Sequence, residues 1–141
     1  MSDAARRILL GILLLGVSGV TIELLLIGHN EDAVQAIPLA LTAATFVTAT
    51  LVALEPSAAS IRLFQAVMVL MAVSAAVGMY LHFEVNMEFQ LEMDPSLQGI
   101  DLFRKAILAK TPPALAPGTM MQLALIGLAY TFKHPATGRK A

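Results

Sequence analysis

Ionisable side chains are scarce in this chain, and their placement decides what chemistry it can attempt. Five gather at two points far apart in sequence: His29, Glu31 and Asp32, then His82 and Glu84. Imidazole with carboxylate is a workable ligand set for Zn, Fe, Mn or Cu(II), and the same groups can relay protons. The metal reading takes His29, Glu31, His82 and Glu84 as ligands of a divalent metal ion. Their spacing matches no HExxH, no ExxH pair on facing helices and no His pair at i, i+4. The competing reading is an interfacial hydrogen-bond cluster in which the histidines hold two loops to the carboxylates. Asp32 has its own explanation as a helix N-cap, with Gln35 at the capping-box position.

Glu23 is the one acidic residue inside an apolar run. A carboxylate at such depth costs a few kcal/mol and usually faces protein or a cavity. Gly16 and Gly19 share its helix face, and small residues admit a second backbone closely. This predicts Glu23 buried between helices, as a proton or cation site or as a neutral acid bonded to Thr42, Thr45 or Thr48. Ser74, Gly78 and His82 form a similar stripe at i, i+4, i+8. Glu88 and Glu92 extend the acidic set beyond it. Eight methionines, among them Met68, Met71, Met87, Met93, Met120 and Met121, admit a Cu(I) reading but fit apolar filling better. No nucleophile or cofactor fingerprint accompanies these groups, so no catalytic residue is assigned.

The elements that must position them follow from composition. Of 141 residues 57% are hydrophobic and only 13% charged, about half the charge of a soluble domain. A net charge of −1 makes nucleic acid an improbable partner, and the absence of cysteine excludes disulfides and thiolate ligands. A bilayer core of ~30 Å needs about 20 apolar helical residues. Runs of that kind cover 8–27, 34–54 and 61–81, and a weaker one covers 114–132 with Pro117 in its first turn. The first run is too long for a signal h-region and lacks an A-x-A exit, so it reads as a retained helix. The fold class expected is an all-α membrane protein: a single domain, 1–141, built as an antiparallel bundle of four transmembrane helices.

Arg6, Arg7, Arg62, Lys133, Arg139 and Lys140 fall on one side of these spans, against Arg104, Lys105 and Lys110 on the other. The positive-inside rule then places both termini in the cytoplasm and 82–116 outside. The tail 133–141 reads as a headgroup anchor, with Tyr130 in the inner interfacial belt.

The outer segment alternates polar His82, Glu84, Asn86, Glu88, Gln90 and Glu92 with apolar Phe83, Val85, Met87, Phe89, Leu91 and Met93. Period two predicts a strand over 82–93. The rival reading, a continuation of the third helix, would stack Glu84, Glu88 and Glu92 and scatter the apolar residues round the cylinder. Asp94-Pro95 then opens a short amphipathic helix through Ile107, lying on the outer leaflet or on the bundle. Residues 111–118 turn the chain back.

Three functions remain. The first is a non-enzymatic assembly or accessory module in the lipid bilayer, either a homo-oligomer or a subunit of a larger membrane complex. Its warrants are the small-residue stripes and a lone strand needing a partner. The second is metal-ion or proton binding or transport at the outer His/Glu cluster. The third is an interfacial lipid or quinone enzyme using the same His and Glu as acid and base.

Overall fold

The computed structural model describes residues 1–110 and 115–138. Every element among them is helical: α1 (Asp3–Leu26), α2 (Ala33–Leu54), α3 (Ala58–Met93), α4 (Gly99–Ile107), α5 (Leu115–Thr131) and a 3-10 turn at Pro135–Thr137. The helix starts follow from their caps. Ser2 accepts from the Ala5 N–H, Asp32 from Gln35, and Ser57 from Ser60 in a reciprocal capping box.

The core forms where apolar residues recur at three- and four-residue spacing. Leu13, Val17, Val20 and Leu24 are buried on α1, and Ile61, Phe64, Met68, Met71 and Ala75 on α3. Helix α5 packs against both α1 and α3, and α2 packs against both as well. Two glycines set the closest approaches. A Cβ at Gly16 would run into Leu123, and one at Gly127 into Met68 and Phe64. On α2 the buried face carries Thr42, Thr45 and Thr48, whose hydroxyls donate back to carbonyls three or four residues earlier. Threonines can therefore line an apolar seam with their polar atoms satisfied locally. Met68, Met71 and Met120 are core residues.

Helices α1, α2 and α3 are each long and apolar enough to cross a membrane. The fourth span expected over 114–132 is not supported. Among the described residues, which leave out residue 114 of the expected span, helix α5 has 17 residues, about 26 Å of rise against a ~30 Å core. Its end at Thr131 has a local cause. Lys133 turns into the left-handed region at φ 47°, which ends the helical run.

The strand expected over 82–93 is also overturned, because α3 runs without a break to Met93. A single strand would leave its backbone groups unpaired, whereas a helix satisfies them within the segment. Met, Leu, Glu and Gln are good helix formers, and no proline falls between Ala58 and Met93. The stacked carboxylates cost only a few tenths of a kcal/mol per pair. Tyr80 relieves part of this by donating its hydroxyl to Glu84 at 2.6 Å. An amphipathic helix follows as α4, but it begins at Gly99 with Gln98 at its N-cap, and Asp94, expected to open it with Pro95, instead closes α3 as its C-cap. Of the linker 111–118, residues 111–114 lie outside the described residues, as do Arg139 and Lys140 of the expected anchor.

Candidate functional site

Helix α1 closes with a Schellman motif. Gly28 takes φ +69°, its N–H bonds to Leu25 and the His29 N–H bonds to Leu24. This places His29 at the bundle end, and Gln35 of α2 then fixes the whole turn. The Gln35 N–H donates to Asp32 at 2.8 Å, and its side-chain oxygen accepts from the Glu31 N–H at 3.1 Å. Its carbonyl meets His29 Nδ1 at 2.9 Å. A carbonyl can only accept, so Nδ1 carries the hydrogen and the neutral ring keeps its lone pair on Nε2. Pro38 lies inside α2, in the turn that follows Gln35. Proline there removes one ladder bond and crowds the preceding turn.

His82 comes to the same end from α3. Its ring centroid lies 6.5 Å from that of His29, with the planes tilted by 44°. Of the four expected ligands, the structure brings these two together. Glu31 is exposed and held by its backbone, and Glu84 is engaged by Tyr80. Among the described residues, no group of three or more His, Asp or Glu side chains is placed to hold a metal ion. Asp32 caps α2, as its position suggested. Gln35 is at the capping-box position, but its side chain bonds to Glu31 rather than back to Asp32. Glu88 and Glu92 are exposed on α3 beyond the bundle.

The expectation that Glu23 is buried between helices is corrected. Glu23 is exposed on α1, and so is Gly19, which has open space where a Cβ would go. The buried stripe of α1 passes through Val20 and Leu24 and leaves Glu23 outside. A carboxylate three residues from Leu26 stands about 5 Å from the helix end, near enough to reach the polar boundary without a protein partner. Gly16, by contrast, is in the seam. Gly78 has Pro117 of α5 at 3.4 Å from its Cβ position, so the Ser74–Gly78 stripe is also a packing seam, while His82 above it is exposed.

Two polar residues escaped the sequence reading. Arg6 is 6% exposed, and its guanidinium donates to the carbonyls of Tyr130 (2.7 Å), Phe132 (3.1 Å) and Lys133 (2.9 Å). It closes the C-terminus of α5, where unpaired carbonyls and the helix dipole favour a cation. Arg7 beside it is exposed; the pair reads in sequence only as topogenic charge. Tyr130 is buried edge-on against Phe64 rather than standing in an interfacial belt. Asn86 is buried on the continuation of α3 and donates to the Ala106 carbonyl at 3.2 Å. The alternating pattern had assigned it to a wet face. An open groove of about 700 Å³ lies between Gln90 of α3 and Asp101, Arg104 and Lys105 of α4.

Comparison with family models, curated proteins and solved structures finds no match to this chain. The functional reading therefore rests on the residues themselves.

Proposed function

We propose that this chain is a non-enzymatic assembly module of a membrane, associating with its own copies or with a larger membrane complex. The observation that carries this reading is on the continuation of α3 past the bundle end. Val85, Phe89 and Met93 recur there at i, i+4, i+8 and are 61%, 56% and 72% exposed. Met93 lies eleven residues beyond His82, about 17 Å further along the helix. An apolar stripe carried that far past the bundle end marks a protein contact. The orientation in this reading keeps both termini cytoplasmic, supported by Arg6, Arg7 and Lys133 meeting at one bundle end while Glu84, Glu88 and Glu92 project from the other.

The test is the mass of the full chain extracted with its native lipid. An oligomer or a stoichiometric complex is expected, and Phe89→Glu should reduce it to a single chain with helix content unchanged. A single chain in the wild-type sample, correctly inserted, would refute the reading.

The His29–His82 pair favours a second reading, a transition-metal or proton site at the outer bundle end. Support comes from Nδ1 of His29 being bonded to a carbonyl, the arrangement that commonly orients a ligating imidazole. Zn²⁺ titration of the purified chain should then show saturable binding that His82→Ala abolishes; equal binding by the variant would remove this reading.

A further inference from the structure

Helix α4 is amphipathic, yet it buries little against the rest of the molecule. Ala106 is its buried residue, while Ile100, Phe103 and Ile107, at i, i+3, i+7, are exposed. Which way that stripe looks can be read from what α4 touches along α3. Position along α3 measures distance from the bundle end, which is marked by His82 beside His29.

Asn86 holds Ala106 at 3.2 Å and sets the level of α4. The Phe103 ring then meets the ring of Phe83, at 5.5 Å, on the bundle side of Asn86. Polar residues of α4 turn the other way. Lys105 reaches Asp94 at 3.9 Å, and Asp101 and Arg104 border a groove with Gln90; both of these α3 residues lie further from the bundle than Asn86. The polar face of α4 thus looks outward along α3, and its apolar stripe looks back toward the bundle end. That is the bundle end, where the apolar surface of α1 stops and that of α2 begins.

We propose that α4 is an interfacial helix whose stripe Ile100, Phe103 and Ile107 is covered by lipid at the headgroup–acyl boundary. Two features favour lipid over a protein occupant. The stripe faces the bundle end, and Asp101 and Lys105 sit on the opposite face with Arg104 at the boundary between the two, as in helices that lie in the plane of an interface. Burying three large side chains there contributes through apolar area and anchors the α3 continuation upright beside it. The inference needs the membrane, but not self-association.

The chain has no tryptophan, so single reporters are unambiguous. The full chain is reconstituted in nanodiscs of phosphatidylcholine with bromine on the acyl chains. Phe103→Trp should emit at short wavelength, be strongly quenched by the brominated lipid because it sits among acyl chains, and be little quenched by acrylamide. Asp101→Trp, on the outward face, should show the reverse. Leu15→Trp, on the exposed mid-face of α1, is the control: protection from brominated lipid there would defeat the membrane reading itself. Strong acrylamide quenching at 103 with a normal control overturns the proposal in favour of a water-facing helix. Protection at 103 from both quenchers overturns it in favour of a protein cover.

Discussion

At the end where the chain begins and the described part finishes, Arg6 spends its guanidinium on three carbonyls of α5 and the tail. The rings of Phe64, Tyr130 and His134 meet there in succession, edge-on and tilted, and Gln65 reaches Thr131 at 3.1 Å. At the opposite end, His29 and His82 face each other across 6.5 Å, and Glu31, Glu88 and Glu92 are exposed. The α3 continuation there carries α4, through Asn86 to Ala106 and Phe83 to Phe103. One end uses its polar groups to fasten the chain to itself; the other leaves them accessible. A buried cation whose two terminal nitrogens are bonded to carbonyls is expensive to disturb, whereas exposed groups cost little to hold ready. That difference in spare capacity is what supports the proposal of a functional surface at the His82 end.

That contrast can be broken at its stronger side first. Arg6→Ala should leave the terminal carbonyls of α5 unmet and destabilise the folded chain by about 3 kcal/mol. It should also release the turn at Lys133, whose positive φ is held in place by the bonds its carbonyl and that of Phe132 accept. Arg6→Lys should recover only part of this, because an ammonium cannot present the planar fork that reaches three acceptors. Thermal unfolding in detergent gives the loss, and hydrogen exchange over 128–134 shows whether it is local to the clamp. Exchange spread evenly over all helices would dissolve the distinction between the two ends.

A smaller effect is expected from Asn86→Leu. It removes the donor to Ala106, a loss of about 1 kcal/mol that should fall on α4 and spare the bundle. Faster exchange in 99–107, with the melting of the long helices unchanged, is the expected pattern. An equal loss of bundle stability would mean that the α3 continuation and α4 belong to the core rather than standing apart from it.

What the sequence made legible follows the strength of each physical signal. Long apolar runs, with Asp32 as a cap, located α2 and the start of α3 to within a few residues, because caps and hydrophobic length act locally. Residues 82–93 misled because period-two alternation is only a pattern of faces, and a helix already propagating from Ser57 supplies its own backbone partners without needing a second strand. The partners of Asn86 and Arg6 lie 20 and 124 residues away, out of reach of any local periodicity. At the candidate site, Gly28 and the Asp32–Gln35 spacing hint at the turn that carries His29. The meeting of His29 with His82, and the exposure of Glu23, depend on how the helices rotate against one another, which no single stripe determines.

The last expected effect is the smallest and uses pH to compare the ends. His134 lies beside Tyr130 and accepts the Ala136 N–H on Nδ1 at 3.3 Å. Burial first, and the Arg6 charge second, hold its pKa below the usual 6.5, with Asp3 opposing weakly. A histidine with a depressed folded pKa binds protons more readily when unfolded, so its contribution is complete above pH 6.5 and shrinks as pH falls through that value toward the folded pKa. Protonation of Nδ1 also ends its role as acceptor. Melting temperature should therefore decline between about pH 7.5 and about pH 5. In His134→Asn, which keeps an acceptor at the cap without titrating, the decline should be shallower. An identical slope in the variant would assign the pH response to groups elsewhere, and the clamped end would then be electrostatically silent rather than poised.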